Sequence, residues 1–280
     1  MNNAIIWVII IPLLGSLLSI IWSRFASFIA ISSNLFALAA SISIVAQVYQ
    51  AGPIAHQLGG WQAGLGITLR ADALSSILLL MSMLVISAAT FYASAYFSDP
   101  LKRARFWPLW LMLVVALNAL LMSGDLFNLY VTLELLGLSA VALTSLSDNR
   151  AALQAAIRYL SIGLLGSLVF LVGVALIYSG HGTLDLVELS TRVGADPLSQ
   201  LAFGLMTAGL LIKSALFPLH FWLPSAHASA PAPVSAALSA LVVKVAIYIL
   251  IRLWVDIFDL TLTPLSGMLL GTLGAIAVIW

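Results

Sequence analysis

Long apolar runs broken by short polar stretches organise the whole chain. The runs fall at about 4–22, 25–49, 72–97, 107–123, 126–147, 153–178, 201–222, 234–254 and 264–280. A helix that crosses a bilayer needs ~20 mostly apolar residues. The pattern therefore predicts an all-α integral membrane protein, a multi-helix bundle of about nine spans. Outer-membrane barrels require strict alternation over ~10-residue segments, which is absent. Two breaks are longer than the rest. The stretch 50–71 is glycine-rich and runs into the alternating ITLRAD, predicting a turn or small hairpin. The stretch 180–200 contains TLDLVELSTRV, in which Leu184, Val187, Leu189 and Val193 predict an amphipathic surface helix. No polar linker, soluble domain or short-period repeat is visible.

Composition agrees with this reading: 62% of residues are hydrophobic and 8% charged, against ~25% charged in a soluble domain. The net charge of +1 gives no basic surface for nucleic acid. Without cysteine, disulfides, cysteine-ligated clusters and Cys zinc sites are excluded. The N-terminal run lacks a basic leader and a clear cleavage site, so it reads as a first span and not as a signal peptide. Odd-numbered loops carry Arg24, Lys102, Arg103, Arg105, Arg150 and, at the next helix end, Arg158; even loops carry Arg70, Arg192 and Arg252. The positive-inside rule then places the odd loops in the cytoplasm and the N-terminus outside. Trp7, Trp22, Trp107, Trp222 and Trp254 fall near span ends, as interface belts do. Gly163, Gly166 and Gly173 in the sixth span predict close helix packing.

Three ionisable residues lie near the middle of apolar runs: Glu134, Lys213 and Lys244. A lone charge there costs roughly 2.5–3.5 kcal/mol on insertion scales, so pairing or hydration is implied and an ion or proton pathway is the default reading. Lys213 is followed by Pro218 and Pro224 within FPLHFWLPSAHASAPAP. Proline removes a donor and clashes with the preceding turn, predicting a broken seventh helix. Irregular backbone at membrane depth is tolerated only where protein or water surrounds it, and a discontinuous helix beside a charge is a transporter-like signal. A Glu134–Lys213 pair would favour the charged form of each; separating the two would release a proton from Lys213 toward Lys244. The competing reading is a static pair that fixes helix packing. Lys244 has no acidic partner in its own helix, which points to a hydrated chain. His220 and His227 flank the break and either could pass protons or bond free backbone. His56 and His181 fall in loops, unsuited to bis-histidine haem ligation, so neither a metal nor another cofactor is expected. Asp125, after Gly124, reads first as a helix cap and second as an outer proton or cation mouth. Arg158 reads as a topology anchor that could tune Glu134. Arg70 and Asp72 read as interface anchors.

The segments MSGDLFNLYVTLELLGLSAVAL and GLLIKSALFPLHFWLPSAHASAPAPVSAALSALVVKVAIYILIR resemble the antiporter-like membrane subunits shared by respiratory complex I, Mrp-type cation/proton antiporters and membrane-bound hydrogenases. GGWQAGLGITLRADALS is similar to the D-type branch of the Mrp subunits. The resemblance implies two inverted five-helix repeats, each with a broken helix. It divides the chain into a three-span segment (1–106), a first five-helix proton-channel repeat (107–254) and the start of a second repeat (255–280). It also makes Glu134, Lys213 and Lys244 the proton axis, with His220 and His227 in the motif around the break. Ser225 stands where relatives commonly carry an acid. Only the first helix of the second repeat precedes Trp280, so either the bundle continues or a partner completes it.

The expectation is a proton-translocating subunit of a multi-subunit cation/proton antiporter or redox-driven pump, in a bacterial or archaeal inner membrane. Its partners would be other membrane subunits, lipid, protons and Na+ or K+. The alternatives are a structural or assembly subunit and a quinone-binding redox subunit.

Overall fold

A computed structural model describes residues 4–60, 66–259 and 264–279. Twelve α-helices and a two-stranded hairpin appear among them. Helices α1 (Ala4–Ile21) and α2 (Ala26–Ala51) lead to strands β1 (Ile54–Gln57) and β2 (Thr68–Ala71), followed by α3 (Ala73–Tyr96) and α4 (Pro100–Leu121). Then come α5 (Leu126–Thr144), α6 (Arg150–His181), the short α7 (Leu186–Arg192) and α8 (Pro197–Lys213). The chain continues through α9 (Leu223–Ser229), α10 (Ala232–Ala237), α11 (Val243–Arg252) and α12 (Pro264–Ile279). Wide π turns at Leu238–Val242 and Leu253–Ile257 join α10 to α11 and extend α11, so that 232–257 is one continuous rod. Such turns often mark functional sites.

By length and apolarity seven of these helices can cross a membrane, and Pro197–Lys213 and Gly267–Val278 are shorter apolar helices. Seven of the nine expected spans thus fall on helices of crossing length, and the other two fall on helices shorter than that. Caps explain where the boundaries moved. Asp99 caps α4 and Pro100 occupies its first turn, so the helix begins seven residues before the expected 107. Lys102, Arg103 and Arg105 then ride on its first turns, where a loop was expected. Asn149 caps α6, which takes in Arg150 and Arg158. Asp196 caps α8 with Pro197 at its start, and this helix runs 197–213 where 201–222 was expected. Each side-chain oxygen accepts from a first-turn N–H that has no partner within the helix. The boundaries drawn at 106 and 254 fall inside α4 and inside the last turn of the α11 rod. One apolar core, from Ile5 to Phe258, crosses both.

The hairpin pairs Ile54 with Ala71 and Gln57 with Thr68, antiparallel; residues 61–65 of its loop lie outside the described residues. β2 does more than close a turn. Arg70 N donates to Met122 O (2.7 Å), Gly124 N to Thr68 O (2.8 Å), Leu126 N to Leu184 O (2.9 Å) and Leu186 N to Gly124 O (3.0 Å). The hairpin, the turn before α5 and the segment before α7 therefore form one backbone frame across this end of the bundle. α7 buries Leu186 and Leu189, with Val193 just after it, whereas Val187, expected on the apolar face, is 51% exposed.

Trp7 and Trp22 are exposed, as belt residues are, but Trp107 and Trp222 are buried. Trp107 packs edge-on to Phe106, which stacks on Trp110. Polar groups inside the bundle are matched between helices. Thr90 Oγ1 accepts from Asn34 Nδ2 (2.6 Å) and from Trp110 Nε1 (2.8 Å), and Asn118 Nδ2 donates to Val8 O (2.8 Å). Where no water competes, such bonds contribute about 0.6 kcal/mol each.

Candidate functional site: a buried ion pair at an interrupted helix

Three helices position the site. α5 starts at Asp125, whose carboxylate accepts from Asn128 N at 2.6 Å, and carries Glu134 inward. α8 runs up to Lys213 and stops. α6 lies against α8 because both present glycine where they touch: a Cβ on Gly166 would come 2.9 Å from Gly209 O. No larger side chain fits between these backbones, and Lys213 follows Gly209 by one turn.

The Lys213 ammonium donates to Glu134 Oε1 at 2.8 Å, with side chains only 9% and 17% exposed. Gly137, on the next turn of α5, faces the ammonium; a Cβ there would sit 3.5 Å from Nζ. Tyr159 of α6 stacks on Trp222, with centroids 4.5 Å apart and planes at 12°. Beside the pair is a cavity of about 30 Å³, lined by Leu133, Gly137, Tyr159, Gly163, Trp222 and Val242 among others. That is enough for a water molecule.

Past Lys213 the backbone turns irregular. Ala215 takes a left-handed conformation, Phe217–Pro218 is a cis peptide, and α9 begins at Leu223. Local turns satisfy much of this backbone: Ser214 N bonds Leu210 O and Leu223 N bonds His220 O, while Trp222 Nε1 donates to Ile212 O. Pro218 lies in the break itself. Pro224, expected to be part of the break, sits instead in the first turn of α9, where a missing N–H leaves no helical bond unmade.

The other residues singled out from the sequence lie apart from the pair. His227 Nδ1 meets Ser235 Oγ at 2.9 Å, linking α9 to α10. His220 stacks on Phe217, and its buried Nδ1 has no hydrogen-bond partner among the described residues. Lys244 does not line the cavity; its ammonium is exposed and donates to Ser239 O at 2.5 Å. Among the described residues the cavity beside Lys213 is lined as far as Val242, two residues short of Lys244. Arg158 is exposed and forms no ion pair among the described residues. Asp125 caps α5 and bridges to Asp185, which its backbone faces. Burial pushes its carboxyl up to about 6, the nearby Asp185 charge adding to this, despite backbone hydrogen bonds acting the other way. Among the described residues no group of three or more His, Asp and Glu side chains is set to hold a metal.

One cluster escaped the sequence reading. Arg252, counted with the even loops although the eighth apolar run reaches 254, is the last residue of α11. It bonds Asp256 Oδ2 at 2.9 Å, Asp72 Oδ1 at 2.6 Å and Tyr248 Oη at 3.1 Å. Tyr248 in turn donates to Leu121 O at 3.2 Å. Asp72 also caps α3. Burial raises its pKa, but the hydrogen bonds from Arg252 and Ser75 outweigh this and hold it below the usual carboxylate value. The four-residue spacing of Tyr248, Arg252 and Asp256 was the available signal; the contact with Asp72 left none.

Residues 123–280 match the family described as NADH:quinone oxidoreductase/Mrp antiporter, TM. The chain is 31% identical over 293 aligned positions to the D-type subunit of the Na(+)/H(+) antiporter of Alkalihalophilus pseudofirmus, covering 99% of this chain and 59% of that one. Among solved structures it superposes on a chain of the membrane-bound sulfane sulfur reductase, an archaeal respiratory membrane complex. The TM-score is 0.88 at 28% identity, covering 96% of this chain and 56% of that one. It also matches a chain of the Mrp complex from Dietzia sp. DQ12-45-1b, with a TM-score of 0.84 at 29% identity, covering 92% of this chain and 49% of that one. The chain spans about three fifths of the length of its Na(+)/H(+) antiporter relatives. The family match takes in both Glu134 and Lys213, and with the apolar helices around them it identifies this chain as a multi-pass membrane protein belonging to the NADH:quinone oxidoreductase/Mrp antiporter family.

Proposed function

We propose that this chain carries protons as part of a cation/proton antiporter subunit, with Glu134 and Lys213 as its switching pair. The observation that carries the reading is the buried 2.8 Å bond between them, at the end of an interrupted helix and beside a water-sized cavity. A charged pair in hydrocarbon is costly unless it works or is held. This one sits where α8 ends, and the irregular 214–222 backbone gives Lys213 a place to move. Lengthening the bond leaves an ammonium with a weaker partner, which then sheds its proton to water in the cavity. Lys244, once it has passed on its own proton, is the next acceptor, with His220 and His227 on the side of the break. Lys244 is exposed here, and a mid-span charge calls for cover, so a partner or further chain encloses it in the assembled protein. In this reading spans four to eight form the first of two inverted repeats, the N-terminus is outside, and the protein sits in a bacterial or archaeal inner membrane. Na+ or K+ is the exchanged ion, as the names of the antiporter relatives suggest. Arg158 acts as an anchor, and Asp125 shapes the outer end.

The test is ion-driven proton movement in vesicles carrying the assembled native complex. Lys213→Ala and Glu134→Gln should each abolish it when rates are normalised to the amount of assembled complex. Wild-type rates in Lys213→Ala vesicles would remove the pair from the path. The exposure of Lys244 favours a second reading, a structural or assembly subunit whose pair is static; there, loss of Lys213 would deplete the complex instead of silencing it.

A further inference from the structure

At the end of the bundle framed by β2, two cavities meet on the Arg252 cluster. One, of about 220 Å³, is lined by Arg70, Asp72, Ser123, Ser190, Arg252 and Asp256 together with the apolar Leu186 and Val187. The other, of about 330 Å³, runs along Ala73 and Leu74 of α3 and Ile251 and Val255 of the α11 rod, and shares Asp72, Arg252 and Asp256 with the first. The two adjoin at these shared residues, a mixed polar part beside an apolar part, next to helices with exposed apolar side chains: Leu74 is 40% exposed, Ile251 45% and Val255 68%.

Most of the polar part is already committed. Arg252 is spent on Asp72, Asp256 and Tyr248. Ser123 donates to Ala119 O and Ser190 to Val187 O. Two groups remain. The Arg70 guanidinium makes no side-chain hydrogen bond or ion pair among the described residues, although its backbone is pinned by Met122. Asp256 uses Oδ2 on Arg252, its Oδ1 has no partner among the described residues, and its side chain is 37% exposed. A free guanidinium offers the planar fork that phosphate oxygens match, and a free carboxylate oxygen accepts from an ammonium. The cavity as a whole is neutral, two arginines against two aspartates, so it gives an anionic headgroup no net attraction. A zwitterion fits: phosphate toward Arg70, primary amine toward Asp256, acyl chain along Leu74, Ile251 and Val255.

We infer that these adjoining cavities bind one zwitterionic phospholipid with an amine-bearing headgroup. The site is independent of the Glu134–Lys213 path, and either can fail without the other.

The experiment uses the protein in its native assembly, purified in mild detergent, delipidated and re-supplied with phosphatidylethanolamine, phosphatidylcholine, phosphatidylglycerol or soluble phosphoethanolamine. Retained lipid is counted by native mass spectrometry and thermal stability is recorded. One phosphatidylethanolamine per chain should be retained, at least fivefold in preference to the other two lipids. Arg70→Ala should release it. Asp256→Asn should bring phosphatidylethanolamine down to the level of phosphatidylcholine, because only the ammonium contact is weakened. Leu74→Trp fills the apolar part without touching a charge and should also release the lipid. Equal retention of all three lipids, or full retention in both Arg70→Ala and Leu74→Trp, would overturn the inference. Stabilisation by soluble phosphoethanolamine equal to that by the lipid would overturn it as well, since the tail would then have no part.

Discussion

Gly209 of α8 meets Gly166 of α6 backbone to backbone, and this contact sets the depth at which Lys213, one turn later, reaches Glu134. A Cβ on Gly166 would lie 2.9 Å from Gly209 O, and the obstacle is a main-chain atom that cannot rotate away. Gly166→Leu is therefore expected to cost about 1–3 kcal/mol through overpacking and to lower the thermal midpoint of the purified assembly. Gly163→Leu should cost far less, because a Cβ at Gly163 meets nothing nearer than Tyr159 at 3.9 Å. Parallel melting curves of the two variants check this.

Gly137 separates packing from chemistry. A Cβ there would sit 3.5 Å from Lys213 Nζ, an ordinary contact, so Gly137→Ala should leave stability within ~0.5 kcal/mol of wild type. A longer side chain, as in Gly137→Leu, would displace the ammonium from Glu134. Coupled transport should fall by tenfold or more while the protein still assembles. Vesicle transport alongside subunit quantification gives the answer.

The pair itself can be tested by a double-mutant cycle. Removing one partner leaves an uncompensated buried charge, a loss of roughly 3–5 kcal/mol. Glu134→Gln with Lys213→Met should recover a substantial part of that stability while remaining inactive. If the losses of the two single variants simply add in the double variant, the two residues are not energetically coupled.

Asp125 supplies a pH dependence. Its pKa is raised by burial from 3.8 to about 6, so the folded state holds the proton more tightly than the unfolded one. Its contribution to stability is full below about pH 4 and is lost as pH rises through about 6. The loss is on the order of 3 kcal/mol at most. Asp125→Asn keeps an N-cap acceptor and should flatten the stability profile between those two pH values. An unchanged slope in the variant would assign the dependence to other groups.

Asp72 behaves with the opposite sign. Its carboxyl is held below 3.8 by Arg252 and Ser75 against the effect of burial, so the stability it contributes is present above that value and lost as pH falls below it. Asp72→Asn keeps the cap on α3 but loses the ion pair; Asp72→Ala loses both and should be less stable by about a further 1 kcal/mol. Thermal melts at neutral pH distinguish the two.

The apolar pattern alone determined that this is a bundle of membrane helices, because a bilayer imposes length and apolarity on every span whatever its neighbours. It also marked Glu134 and Lys213, since a charge at mid-span stands out against hydrocarbon, and it marked the interruption after Lys213, since Pro218 can neither donate nor fit. Helix starts were less legible: Asp99, Asn149 and Asp196 move three boundaries through one or two capping hydrogen bonds each, too local a signal to alter an apolar run. Only the tertiary structure decided which charges meet. The Glu134–Lys213 bond spans 79 residues and the Arg252–Asp72 bond 180; Lys244, no less conspicuous in the sequence, faces outward. Hydropathy reports depth in the membrane, whereas the direction a side chain takes around its helix depends on which neighbours pack against it. Here that is set by contacts such as Gly166 on Gly209, which are made between segments far apart in the chain.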